Sequence, residues 1–272
     1  MSSFYYDLHQ AIISDNINTK ELIIDRLIAS LEANEEIDNN FTPSIFKEPS
    51  YAKRCKIVLP KELPRRRDFN SKDALEALVH SITHIEYSAI DLALDAVYRF
   101  TNMPNEYKLD WLVVAKDEVR HFKMLHKILE DKLNSYYGKL PVHKSLFEMS
   151  YKTNHSVLER MAIIPRYFEA TGLDANPKII NKLNSYKSNE ILEEIKSALN
   201  IIYIEEIEHV RKGDKWFKYL CNKYNYDYKS KFQEIIKKYN LKRDAKTFNV
   251  KARLEAGFSC DELKSLGVKK CS

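Results

Sequence analysis

Apolar residues recur at three- and four-residue steps along most of the chain, and four long stretches carry that rhythm with few breaks. The first follows Ser71, a candidate N-cap, and aligns Leu75, Val79, Ile82, Ala89, Ala93 and Val97 on one face. The second, about 105–133, aligns Trp111, Val114, Ala115, Phe122, Leu125 and Leu129. A third begins near Asn154, carries Val157, Leu158, Met161, Ala162 and Phe168, and is expected to end at Thr171-Gly172, where glycine suits a C′ position. The fourth, from near Ser188 to about Asn222, aligns Leu192, Ile195, Leu199, Ile202, Tyr203, Val210 and Phe217. Shorter helices are predicted twice before residue 35, over 177–186 and over 228–239. Pro165 predicts an irregular turn just N-terminal to Glu169, because proline removes a helical hydrogen bond and kinks the axis.

What sets these stripes apart is that carboxylates and imidazoles interrupt them. Glu86 lies in the first stripe, Glu118 and His121 in the second, Glu169 in the third, and Glu206 and His209 in the fourth. Glu118-Val119-Arg120-His121 and Glu206-Ile207-Glu208-His209 each set a carboxylate and an imidazole three residues apart, on one helix face. The words stand 88 residues apart, each preceded by a lone glutamate, so the order Glu, then Glu-x-x-His, occurs twice. That is the ligand order described for di-iron and di-manganese carboxylate bundles, which it matches as a known pattern. Spacing alone is weak: with 23 glutamates and 8 histidines in 272 residues, two such words arise by chance about once in seven chains. The conjunction is stronger. An unpaired carboxylate on an apolar face costs several kcal/mol, and four carboxylates carry the charge that two divalent ions neutralise.

Alternatives stand beside each ligand. Glu159 competes with Glu169 ten residues on, and Glu205 and Glu208 neighbour Glu206. His80, His84 and His126 are expected not to be ligands; His84 faces largely away from Glu86. His121 and His209 as ordinary core histidines is the plainer reading. Tyr87, Tyr167 and Tyr203 adjoin ligands in sequence, and such tyrosines more often pack than carry chemistry.

Composition narrows the class. Only 5 Gly and 8 Pro occur beside 31% charged residues, which points to an all-α protein. No apolar run approaches the roughly 20 residues a membrane span needs, and the N-terminus lacks a signal-peptide pattern, so a cytoplasmic protein is expected. Cys55, Cys221, Cys260 and Cys271 form no Cys-x-x-Cys, which excludes a rubredoxin-like or zinc-ribbon module; all four are expected to be free thiols. Residues 39–70 lose the helical pattern and become basic, ending in Arg65-Arg66-Arg67, a solvated connector or an anion-binding arm. The division expected is an N-terminal helical extension with connector (1–70), a four-helix bundle (71–225), and a C-terminal helix and basic tail (226–272).

From about Asp73 to Phe258 the chain resembles an uncharacterised bacterial ferritin-like family, a domain of unknown function. The likeness is carried by Glu86, Asp117-Glu118-x-x-His121-Phe122, Met161-Ala162-x-x-Pro165-Arg166-x-x-Glu169-Ala170-x-Gly172-Leu173-Asp174, Glu206-x-x-His209-Val210, Trp216-Phe217-x-Tyr219-Leu220-Cys221 and Phe248-Asn249-x-x-Ala252-Arg253-x-x-Ala256-Gly257-Phe258. The resemblance implies a ferritin-like four-helix bundle with added terminal helices, and it selects Glu169 over Glu159. It further implies a metal site, expected here to hold two iron ions, or manganese or a mixed pair. An O₂-dependent oxidoreductase of hydroxylase or oxidase type, acting on an unidentified small molecule, is the function expected. A tRNA-modifying di-iron hydroxylase, using Arg65-Arg66-Arg67 and the lysine-rich tail to reach phosphates, is the second reading. A non-enzymatic iron-binding or helical interaction protein is the third.

Overall fold

The computed structural model describes residues 4–64, 68–242 and 244–271. Among them the secondary structure is helical, with one isolated parallel bridge between Ile57 and Val142. The chain divides into two compact units, Met1–Tyr151 with Ser188–Ala198, and Lys152–Lys187 with Leu199–Ser272.

In the first unit, α1 (Phe4–Ile13) and α2 (Ile17–Glu32) precede the long helices α3 (Lys72–Arg99) and α4 (Asn105–Asp131), with α5 (Ser145–Lys152) at its end. Ser71 caps α3 as predicted, accepting from the Ala74 amide at 3.2 Å. Five residues join α3 to α4, and Ser135, just beyond α4, bonds Glu76 near the start of α3 at 2.6 Å. The two helices are therefore antiparallel neighbours, and their facing stripes form this unit's core. Helix α2 is tied to α3 by Lys20, fully buried, whose Nζ donates to Asp91 at 2.6 Å and to the Ala11 carbonyl at 2.7 Å. That pairing makes the buried ammonium tolerable.

The connector is ordered by specific bonds. Ser50 Oγ donates to Asp91 at 2.7 Å and lies 3.0 Å from the Tyr87 hydroxyl, while the Val58 amide donates to the Val142 carbonyl at 2.8 Å and the Val142 amide to the Lys56 carbonyl at 2.9 Å. Arg65, Arg66 and Arg67 lie outside the described residues.

In the second unit, α6 (Val157–Ile163) runs into a π-helical turn (Ile164–Glu169) and on into α7 (Ala170–Asn184). The irregular turn predicted at Pro165 is this π-turn. Two boundaries are corrected. The cap is Ser156, not Asn154, since its hydroxyl accepts from the Glu159 amide at 3.3 Å. Gly172 does not end the helix, which continues through Pro177 to Asn184, so no separate helix starts at 177. Proline has no N–H for the carbonyl four residues earlier, that of Leu173; the Asn249 side-chain amide donates to it instead, at 3.3 Å.

Helix α8 (Glu190–Lys223) belongs to the first unit at its start and to the second beyond residue 198. Then come α9 (Tyr228–Lys238), α10 (Val250–Glu255) and α11 (Cys260–Ser265). The basic tail is thus folded. Ala252, Ala256, Phe258 and Leu263 join Ala170, Leu173 and Val210 in one buried cluster. The expectation of four free thiols is also corrected: Cys260 and Cys271 form a disulfide, brought together because Gly267, at φ 106°, turns the chain back after α11. Cys55 and Cys221 are free and buried.

Candidate metal centre

Three of the six predicted ligands meet inside the first unit. Glu86 on α3 and Glu118 and His121 on α4 are all buried, and each offers a ligand atom within 4.8 Å of the others. His121 Nδ1 lies 3.2 Å from Glu86 Oε2 and 3.4 Å from Glu118 Oε2. The helical register explains the meeting: Glu118 and His121 are one turn apart on α4, and antiparallel packing brings Glu86 opposite them. Burial alone would hold the imidazole neutral, but hydrogen bonds and the charges of Glu118 and Glu86 raise its pKa to about 11. The two buried carboxylates thus favour a positive charge between them.

The other three ligands lie in the second unit. His209 is fully buried on α8, with Nδ1 3.7 Å from Oε1 of Glu206, whose side chain is 13% exposed. Glu169, partly buried, is the last residue of the π-turn. That turn rests on α8 at Gly213, where an added Cβ would stand 2.2 Å from the Pro165 Cβ. Gly213 lies one turn beyond His209, so this close approach sets the turn ending in Glu169 against the helix bearing Glu206 and His209. Sequence reasoning missed Gly213, although an isolated glycine within a long helical pattern is a recognisable sign of close packing.

Glu159, Glu208 and the three histidines set aside are occupied elsewhere. Glu159 binds Lys238 Nζ at 2.6 Å and the Tyr239 hydroxyl, and lies 3.3 Å from His155. Glu208 is exposed and paired with Arg211. His84 bonds the Tyr137 hydroxyl at 2.9 Å and the His143 carbonyl at 2.7 Å. Nε2 of His80 accepts from the Gly138 amide at 3.0 Å, and His126 faces Glu130 at 3.4 Å. Of the tyrosines, Tyr203 accepts from Asn249 at 2.8 Å, Tyr167 donates to the Lys242 carbonyl at 3.1 Å and Tyr87 bonds Ser50.

Two buried arginines brace the π-turn, and neither was anticipated as buried. Arg166 pairs with Asp214 at 2.9 Å and with Glu262, its guanidinium 4.4–4.6 Å from the ring centroids of Phe217, Phe232 and Phe258. Arg253 grips Asp174 through Nε at 3.0 Å and Nη2 at 2.6 Å, and donates to the carbonyl of Ala170, the residue after Glu169. Aromatic stacking and paired carboxylates together offset the desolvation of each guanidinium.

These features define an all-helical protein with a buried carboxylate–imidazole group suited to a cation. The chain belongs to the family described as Protein of unknown function (DUF455), whose family model matches residues 13–264. An uncharacterised protein of Haemophilus influenzae is 36% identical over 214 residues, covering 76% of this chain and 72% of that relative. No solved structure matches.

Proposed function

We propose that the chain is a ferritin-like metalloprotein in which Glu86, Glu118, His121, Glu169, Glu206 and His209 hold two divalent ions, iron or manganese, and that it acts as an O₂-dependent oxidoreductase. The observation that carries this reading is the buried Glu86–Glu118–His121 group, two carboxylates and an imidazole drawn together where burial penalises uncompensated charge. The second unit repeats the same donor types, with Glu206 and His209 one turn apart and Glu169 at the π-turn. Oxygen donors with one imidazole in each set of three suit iron or manganese, and a thiolate-preferring ion would find no cysteine among them. Four carboxylates balance two divalent ions.

When bound, such a pair supplies redox equivalents and open coordination positions for oxidation by O₂. The chain's own part is to fix the ligands and exclude water. Antiparallel packing of α3 and α4 presents Glu86 to Glu118 and His121, and all three side chains are buried from solvent. Gly213 and Arg166 hold the turn that ends in Glu169. An imidazole would hold a metal only through a deprotonated ring nitrogen, so metal binding at His121 would be pH-dependent.

Metal analysis of protein produced with iron tests the ligand set. About two metals per chain are expected, with a sharp loss in Glu118→Ala and His209→Ala. A folded wild-type protein without metal would overturn the reading, and unchanged metal content in both variants would overturn the ligand assignment. Oxygen uptake by the reduced, iron-loaded protein tests the oxidoreductase step, and its absence would reduce the proposal to metal binding.

A further inference from the structure

Positive charge and aromatic rings are both concentrated in one stretch of the second unit. Residues 211–242 hold ten lysines and arginines against three acidic residues, a net +7, whereas the whole chain carries +5, so all other residues together sum to −2. The same 32 residues hold eight aromatic side chains, one in four, against 11% overall. Part of that aromatic content is core: Trp216, Phe217 and Phe232 are buried. Three tyrosines are not. Tyr219, Tyr224 and Tyr226 are 44–49% exposed at the end of α8 and in the turn that follows.

The geometry of that turn is set locally. Helix α8 stops at Lys223; Asn225 takes a left-handed φ of 55°, and the Tyr226 amide reaches back to the Cys221 carbonyl at 2.8 Å. This closing bond fixes Tyr224 and Tyr226 on either side of Asn225, with ring centroids 6.2 Å apart. Lysines stand beside these rings: Lys231 Nζ is 4.5 Å from the Tyr226 centroid and Lys223 Nζ 5.9 Å from that of Tyr224. Lys223 and Lys237 are exposed. Of the three acidic residues, Asp214 is buried against Arg166 and Lys218, Glu234 pairs with Lys231 at 2.8 Å, and Asp227 caps α9, which leaves Lys223 and Lys237 as exposed cations of this surface.

A lysine-rich helix face ordinarily does no more than meet solvent. Large rings left open among the lysines are what such a face does not need. We propose that the surface formed by the end of α8, the turn at Asn225 and α9 binds single-stranded nucleic acid, with Tyr224 and Tyr226 stacking on unpaired bases and the adjoining lysines contacting phosphates. Rings interleaved with cations are the recurring means by which proteins hold an unpaired strand, because every base has a π-face and every nucleotide a charge. A duplex offers the charge without the free faces. A membrane surface fits less well, since an interfacial helix buries Leu, Phe or Trp in the lipid, and the exposed large apolar residues of this stretch are tyrosines alone.

The test is fluorescence anisotropy with labelled single-stranded RNA and DNA of about a dozen nucleotides, against the same sequence as a duplex. Binding of a single strand is expected to exceed that of the duplex, and to weaken about tenfold or more between about 50 and 200 mM salt. Tyr224→Ala with Tyr226→Ala should weaken it at least about tenfold, and Lys223→Gln with Lys237→Gln should also weaken it. These side chains are exposed, and an unchanged circular dichroism spectrum checks that the variants fold. Comparison of the RNA and DNA arms reads out any contact to the 2′-hydroxyl. No binding at low salt would overturn the proposal. So would binding indifferent to the tyrosine pair, which is ion exchange only, or tyrosine-dependent binding to anionic phospholipid vesicles in place of the oligonucleotides. None of the six proposed ligands lies in this stretch, so the metal reading stands or falls separately.

Discussion

Gly213 on α8 and Pro165 in the π-turn occupy the same space but for one missing carbon: a Cβ on Gly213 would lie 2.2 Å from the Pro165 Cβ and 2.4 Å from its Cγ. Proline's ring is rigid, so the clash must be relieved by moving the helix or the turn. Gly213→Ala is therefore expected to destabilise the protein by about 1–3 kcal/mol through overpacking, even though alanine favours a helix. Because Glu169 follows Pro165 by one turn and His209 precedes Gly213 by one turn, the same variant should bind metal more weakly than its stability loss alone predicts. Urea unfolding and metal titration check both effects; a Gly213→Ala protein more stable than wild type would show that the contact relaxes freely.

His80 gives a pH-dependent prediction. Burial pushes its pKa down to about 4, and its Nε2 accepts hydrogen bonds from the Gly138 and Leu140 amides, which protonation of that nitrogen would break. The unfolded chain takes up this proton near pH 6.5, the folded chain only near 4. Stability from this group is thus complete above pH 6.5 and is lost as pH falls toward 4, to the extent of about 3 kcal/mol. Urea midpoints measured between pH 7 and 4 should fall less steeply in His80→Asn, whose amide oxygen can accept without titrating. Equal slopes would remove His80 from the acid response.

How much of this was visible in the chain follows from the range of the forces involved. The start of α3 at Ser71 and the lengths of α4, α8 and α9 were legible because one buried face imprints a 3.6-residue period and a cap acts within three residues. The meeting of Glu86 with Glu118 and His121 was legible for the same reason, since carboxylates in an apolar stripe demand a partner. The passage of α7 through Gly172 and Pro177 was not, because the side chains that support it, Asn249 and Arg253, come from more than 70 residues away. The Cys260–Cys271 disulfide likewise depends on the return of the chain at Gly267, and Cys-x-x-Cys counting carries no trace of it.

The support given to Leu173 by Asn249 is open to a double-mutant cycle. Asn249 Nδ2 donates to the carbonyl that Pro177 leaves without a helical donor, Nδ2 also reaches the Tyr203 hydroxyl, and Oδ1 caps α10 at the Ala252 amide. Asn249→Ala should cost about 2 kcal/mol from the lost cap and hydrogen bonds. Pro177→Ala restores a backbone N–H able to bond Leu173, so in that background the cost of Asn249→Ala should shrink by about 1 kcal/mol. Strict additivity in urea unfolding would show that Asn249 acts on α10 alone.

The choice between Glu159 and Glu169 as the third-helix ligand can be decided without a metal-bound structure. Glu159 is engaged by Lys238, Tyr239 and His155, and these neighbours hold its carboxyl below the usual range against the upward push of burial. Its loss removes a partly exposed ion pair, a cost of about 1 kcal/mol or less. Glu169 ends the π-turn that Arg166, Arg253 and Gly213 hold in place. A bound ion stabilises the folded state by about 2.7 kcal/mol at one hundred times its dissociation constant, which appears as a metal-dependent rise in melting temperature. Under anaerobic Fe(II) or under Mn(II), Glu159→Ala should keep the wild-type rise and Glu169→Ala should lose most of it, with both variants folded in the absence of metal. The reverse result would move the ligand ten residues back along the chain, and an equal rise in both would take the third-helix carboxylate out of the metal set.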